Sequence, residues 1–145
     1  MVLNADDRLA IHEVISLHGH LCDASAYDRF DLVFTADLVV DVSDLGLAPV
    51  PHVGPSQERL DMYIGVAHSR GPGDTIALHV TNVLVVEDGA GARAWSKALA
   101  LGRDGSVASY TYADRLVRTD VGWRIRHRKV SPRRVPGVGI EPLIV

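Results

Sequence analysis

The hydrophobic period of this chain changes once, and that change limits its fold more than any other feature. Before the breaker SRGPGD, which begins at Ser69, apolar residues recur at three- and four-residue intervals; after it they alternate. The first spacing is that of helices with one buried face, and the second is that of half-buried strands. Helices first and hairpin-linked strands after is the order of an α+β fold, not of a parallel α/β sheet.

The first helix is predicted from Asn4, a suitable N-cap, to about Asp23, with Asp6 and Asp7 complementing the positive end of its dipole. Ile11, Val14, Ile15, His18, Leu21 and Cys22 fall on one buried stripe. Ser25, with Asp28 three residues on, reads as the cap of a second, short helix carrying Phe30, Val33 and Phe34. The β-branched run LVVDVSDL, 38–45, reads as a strand. After a loop holding Pro49, Pro51, Gly54 and Pro55, Ser56 reads as the cap of a third helix with Leu60, Tyr63, Ile64 and Ala67 on one side. Four strands follow, separated by Asp88-Gly89, Asp104-Gly105 and Asp120-Val121-Gly122, all hairpin signals.

The 145 residues fit one domain, 1–145, and a hydrophobic share of 47% is enough to build its core. No apolar run approaches the ~20 residues of a membrane helix, and the acidic N-terminus lacks the layout of a secretory signal. A single cysteine leaves no internal disulfide. The expectation is a cytoplasmic protein with no membrane partner. Charge is uneven: residues 1–61 hold eleven acids and three bases, whereas 62–145 hold seven acids and twelve bases. The basic excess peaks in GWRIRHRKVSPRR, with six Arg or Lys between Arg124 and Arg134. Such a cluster suits nucleic acid or an acidic ligand, or is an outer strand face balancing the acidic half. No interleaved aromatic stacking surface accompanies it, so no nucleic-acid partner is expected.

Three stretches resemble one family. They are Asp23 with Tyr27-Asp28-Arg29-Phe30-Asp31 and Phe34; His79-Val80-Thr81-Asn82; and Tyr112-Ala113-Asp114-Arg115 through Gly122-Trp123-Arg124-Ile125. In this order and spacing, and across most of the chain, they resemble the SnoaL-like branch of the NTF2-like superfamily. That branch includes polyketide cyclases, scytalone dehydratase and bile-acid dehydratase. The resemblance implies a cone: three N-terminal helices packed on a strongly curved, mainly antiparallel sheet, around a deep, mostly apolar pocket. It implies an acid–base pair of Asp23 and His79 with no cofactor and no metal. The chain departs from scytalone dehydratase in lacking a second pocket histidine on the strand 92–101.

In that pair His79 takes a proton and Asp23 orients it, since imidazole titrates near neutrality and a carboxylate on its other nitrogen fixes the tautomer. By strand alternation Ala77, His79, Thr81 and Val83 share one small, apolar face. His18 points inward and either lines the pocket or is a satisfied core histidine. His18 and Cys22, four apart, meet on one helix face, and with His79 they are compatible with zinc; burial of Cys22 as a small hydrophobe is the competing account. Tyr27, Tyr63 and Tyr112 are candidates to donate to a substrate oxygen, and Arg128 to meet an anionic group. Tyr110, Tyr112 and Asp114 share one strand face. The expected function is cofactor-independent dehydration, isomerisation or cyclisation of a small hydrophobic cyclic carbonyl or hydroxyl compound by a homodimer or homotrimer. The alternatives are a non-catalytic ligand-binding or assembly subunit and an epoxide hydrolase.

Overall fold

The computed structural model describes residues 2–47 and 55–138; Pro49, Pro51 and Gly54 of the predicted loop, and the tail from 139 onward, lie outside them. Helix α1 spans Ala5–Asp23. The Asn4 side chain accepts from the Asp7 N–H at 2.8 Å, and the Asp7 carboxylate accepts from the Asn4 N–H at 3.3 Å, which closes a reciprocal capping box. The predicted stripe is the buried one: Ile11 and Ile15 have no exposed surface, and His18 and Leu21 are buried. Each isoleucine contributes about 1.5–3 kcal/mol by leaving water.

Ser25 does not open a second helix. It closes the first, at φ 51°. The Ala26 N–H returns to the Leu21 carbonyl and the Ser25 N–H to that of Cys22, the paired bonds that satisfy a helix C-terminus around one left-handed residue. The chain then makes a 3₁₀ segment, Tyr27–Leu32, with no side-chain cap. Strand β1 is Phe34–Asp41, earlier than predicted. Asp41 ends it by accepting from both the N–H and the hydroxyl of Ser43, a local turn that competes with strand pairing. Ser56 likewise caps nothing; a short 3₁₀ turn, Ser56–Glu58, runs into helix α2, Arg59–Arg70.

The four predicted strands are β2, Thr75–Asp88; β3, Gly91–Gly102; β4, Val107–Thr119; and β5, Gly122–Pro132. They form a curved five-stranded sheet in the order β1-β5-β4-β3-β2. β1 runs parallel to β5, and every other pairing is antiparallel. Of the register shifts in the sheet, two decide which way side chains of β2 and β5 face. In β2 the register jumps between Thr81 and Leu84, with Asn82 at φ 55°; in β5 Arg126 is the extra residue between partners of Arg115 and Leu116. The inner face therefore carries Leu78, Val80, Val83 and Val85 of β2 and Trp123, Ile125, Arg128 and Val130 of β5.

α1 lies along the edge strand β2. Arg8 donates to the Val85 carbonyl at 2.9 Å near one end. Near the other end the helix comes so close that a Cβ on Gly19 would sit 2.7 Å from the Leu78 carbonyl oxygen. Gly19 is there because this approach leaves no room for a side chain. Ile11 and Ile15 meet Phe30, Phe34, Leu38, Val40, Val85 and Ile125 in one core cluster between helix and sheet. Among the described residues no helix is long and apolar enough to cross a membrane.

Candidate active-site cleft

A cleft of about 250 Å³ opens between the end of α1, helix α2 and the start of β2. Tyr27, Phe30, Tyr63, Val66 and Ala67 make its wall, with Cys22, Leu78 and Ala100 behind. Asp23, Arg70 and Thr75 are its exposed polar lining and so stand at the mouth. The wall is aromatic by construction: Tyr63 stacks on Phe30 at 5.7 Å, and Phe30 meets Tyr27 and Phe34 edge-on. Offset and edge-to-face contacts of this kind hold rings rigidly.

Asp23 is held by the fold. The N–H of Leu78 donates to its Oδ1 at 2.8 Å. β2 is the last strand of the sheet, so this N–H faces away from β3 and needs an acceptor. The C-terminus of α1 supplies one. The second carboxylate oxygen is not used by any hydrogen bond among the described residues.

The expected Asp23–His79 pair is not assembled. Leu78 faces the cleft, so His79, the next residue on an extended strand, faces the other side of the sheet, where it is exposed. Its cross-strand partner there is Leu99. The resemblance placed both residues at the right ends of the right elements, but the parity of β2 puts the inward position at Leu78. Ala77 and Thr81 share the outer face with His79, while the bulge at Asn82 returns Val83 to the inner one.

Beneath the cleft the cone is filled by a buried polar cluster. Arg128, 2% exposed, makes a two-pronged ion pair with Asp114, 3% exposed: Nε to Oδ1 and Nη2 to Oδ2, both 2.8 Å. Burial alone would favour a neutral guanidinium, but the charge and hydrogen bonds of Asp114 outweigh it and hold the pKa of Arg128 above its usual value. The guanidinium lies 4.0 Å over the Tyr112 ring and 5.5 Å from that of Phe34. Its Nη1 is 3.0 Å from Nδ1 of His18.

That contact fixes the state of His18. An arginine can only donate, so Nδ1 must accept and the proton must sit on Nε2. Burial, reinforced by the Arg128 charge, holds the pKa of His18 well below the usual 6.5. The neutral ring donates through Nε2 to the Cys22 sulfur at 3.4 Å, and Cys22 lines the cleft. Burial pushes the Cys22 thiol up to about 11, with Arg128 tempering the effect. It pushes Tyr63 up to about 12. Both stay protonated at neutral pH and are hydrogen-bond donors rather than nucleophiles. Among the described residues no cluster of three metal-ligating side chains forms; His18 and Cys22 do meet, but His79 is across the sheet.

Of the predicted binding residues, Tyr27 and Tyr63 line the cleft. His18, Tyr112 and Arg128 sit under it, packed on one another: the His18 ring lies 5.3 Å from Phe34 and 6.1 Å from Tyr112. Arg70 and Thr75, at the mouth, carried no signal in the sequence beyond lying within and just after the breaker. Asp114 shares a strand face with Tyr112, as predicted.

A helix-lined cleft on the inner face of a curved, mainly antiparallel sheet defines an NTF2-like, cystatin-like α+β protein. The chain belongs to the SnoaL-like domain family, whose model matches residues 4–129. Solved structures similar to it share that fold. The Kfla4162 protein of Kribbella flavida is 23% identical, with a TM-score of 0.71 over 89% of this chain and 92% of its own. An NTF2-like protein with a cystatin-like fold from Novosphingobium aromaticivorans is 18% identical, TM-score 0.71, covering 92% and 86%. A candidate scytalone dehydratase from the same organism is 17% identical, TM-score 0.67, covering 90% and 89%. No curated protein matches the chain.

Proposed function

We propose that this protein is a cofactor-independent acid–base enzyme that dehydrates, isomerises or cyclises a small hydrophobic cyclic carbonyl or hydroxyl compound. The observation that carries the proposal is the anchored Asp23 carboxylate at the mouth of an aromatic, apolar cleft. One oxygen is fixed by the Leu78 N–H and the other is left to exchange a proton with a substrate held against Tyr27, Phe30 and Tyr63. The donors nearby, Tyr63 and the Cys22 thiol, are neutral and suit a carbonyl oxygen or a departing hydroxyl. In a dehydration, Asp23 takes the proton α to the carbonyl. The β carbon–oxygen bond breaks as the carbon–carbon double bond forms, and the hydroxide leaves as water with the proton that Asp23 acquired. The cleft volume, about 250 Å³, lies just below the usual range for ligand sites, which suits a single-ring compound. The candidate scytalone dehydratase of the same fold agrees with this class of reaction.

Turnover of a panel of cyclic β-hydroxyketones tests the reading. Asp23→Asn keeps an acceptor for the Leu78 N–H but cannot take a proton; it should lower kcat by about a hundredfold or more. An unchanged rate would remove Asp23 from the mechanism. A non-catalytic ligand-binding subunit is the second reading, favoured by the filled interior beneath the cleft. It predicts saturable binding of these compounds with no turnover by the wild type. Epoxide hydrolysis needs two carboxylates and an arginine around a water; Arg128 meets one carboxylate and an imidazole, so the site does not support it.

A further inference from the structure

The basic run in the last strand divides between the two faces of the sheet. Arg128 goes inward to Asp114; His127 and Lys129 go outward. On that outer face they complete a pattern set by the register of three neighbouring strands. Arg93 of β3 stands directly opposite Arg115 of β4, and Arg115 directly opposite His127 of β5. The adjacent row reads Trp95, Ala113, Lys129. Arg93, Trp95, Arg115, His127 and Lys129 line one hollow of about 250 Å³, together with Asp114, whose two carboxylate oxygens are both taken by Arg128. Like charges directly opposite on a sheet repel, so a row of basic neighbours is unfavourable by itself.

The nearby acids relieve the ends of the row, Asp44 and Asp41 acting on Lys129 and Asp41 on His127, and leave its middle. Asp44 lies 3.6 Å from Lys129 and also accepts from the Ser131 hydroxyl at 2.7 Å. Asp41, in register with Lys129, spends one carboxylate oxygen on Ser43. Asp37 faces Arg126 at 3.4 Å. The Arg93 guanidinium lies 5.2 Å from the Trp95 ring centroid and has further interactions of its own. Arg115, in the middle of the row, is exposed and makes no hydrogen bond or ion pair among the described residues. The Trp95 indole N–H, on a residue only 4% exposed, also has no partner among them.

We propose that this hollow is a second binding site, separate from the cleft and on the opposite face of the sheet, for the phosphate group of a small molecule. Arg115 supplies the planar, two-pronged donor that matches a phosphate. Lys129 adds a point charge, His127 an N–H donor and the Trp95 edge an apolar wall. The proposal does not depend on the chemistry assigned to Asp23.

Two-dimensional ¹⁵N NMR of the full chain tests it. The probes are inorganic phosphate and phenyl phosphate, each against potassium chloride at matched ionic strength. The expected result is a saturable shift of the Arg115, His127 and Trp95 signals, including the Trp95 indole, with both phosphates and not with chloride. Arg115→Gln and Lys129→Gln should each weaken binding about tenfold, the cost of one charge-assisted contact. Shifts that do not saturate, that chloride reproduces, or that persist unchanged in both variants would overturn the proposal. Arg115→Gln should also unfold no lower than wild type in phosphate-free buffer, because it removes a repulsive neighbour; a clear loss of stability would contradict the unpartnered state of Arg115.

Discussion

His18 is held neutral by its surroundings, and this has a cost that depends on pH. In the unfolded chain it titrates near 6.5, whereas in the fold burial and Arg128 keep its pKa well below that. Below pH 6.5 the unfolded state therefore binds a proton that the folded state refuses, so stability falls as pH falls and levels off above pH 6.5. The slope from this one group approaches about 1.4 kcal/mol per pH unit until the folded pKa is reached. Urea unfolding between pH 5 and 8 should show it, and His18→Gln should flatten the curve relative to wild type. The ion pair beside it sets a second expectation. Asp114→Ala leaves the Arg128 charge buried and uncompensated, and should cost about 3–5 kcal/mol in the same assay, whereas Arg128→Met with Asp114→Leu should recover most of that loss. At this scale the sequence was partly legible. Helical spacing alone turned His18 inward, and alternation put Asp114 beside Tyr112. The sequence named Arg128 as a candidate to meet an anionic group, but alternation could not fix its direction, because that depends on the bulge at Arg126, and a bulge has no fixed sequence signal.

Helix α1 and strand β2 form the unit that builds the site, and their fit is close. Gly19→Ala would drive a Cβ onto the Leu78 carbonyl, a backbone atom that cannot swing aside. It should destabilise the protein by about 1–3 kcal/mol in chemical denaturation, despite alanine's higher helix propensity. It should also reduce turnover, since the displaced strand carries the N–H that anchors Asp23. Stability equal to or above wild type would mean that the helix can lift away without cost. Long elements were readable here because periodicity averages over many residues: α1 and the last four strands lie where the pattern puts them. Short ones were not. Ser25 and Ser56 looked like caps, but the C-terminal turn of α1 claims the first, and the second begins a 3₁₀ turn with no side-chain cap. The strand predicted at 38–45 begins at Phe34 instead, drawn forward by pairing with Ile125 of β5, a long-range contact invisible to local propensity.

In the molecule as a whole the curved sheet separates two chemistries. The inner face holds an apolar cleft with one anchored carboxylate, and the outer face holds a row of cations. The change of hydrophobic period was enough to specify this architecture, and the resemblance agreed with it. Neither could specify which way a given strand residue faces, and that parity decides the roles of Asp23 and His79. The most direct test of the account compares kcat for Asp23→Asn and His79→Ala on one cyclic β-hydroxyketone that the wild type turns over. The expected result is a fall of about a hundredfold or more for Asp23→Asn and a wild-type rate for His79→Ala. A comparable fall in both variants would mean that the two residues act as a pair after all, and would contradict the placement of His79 outside the site.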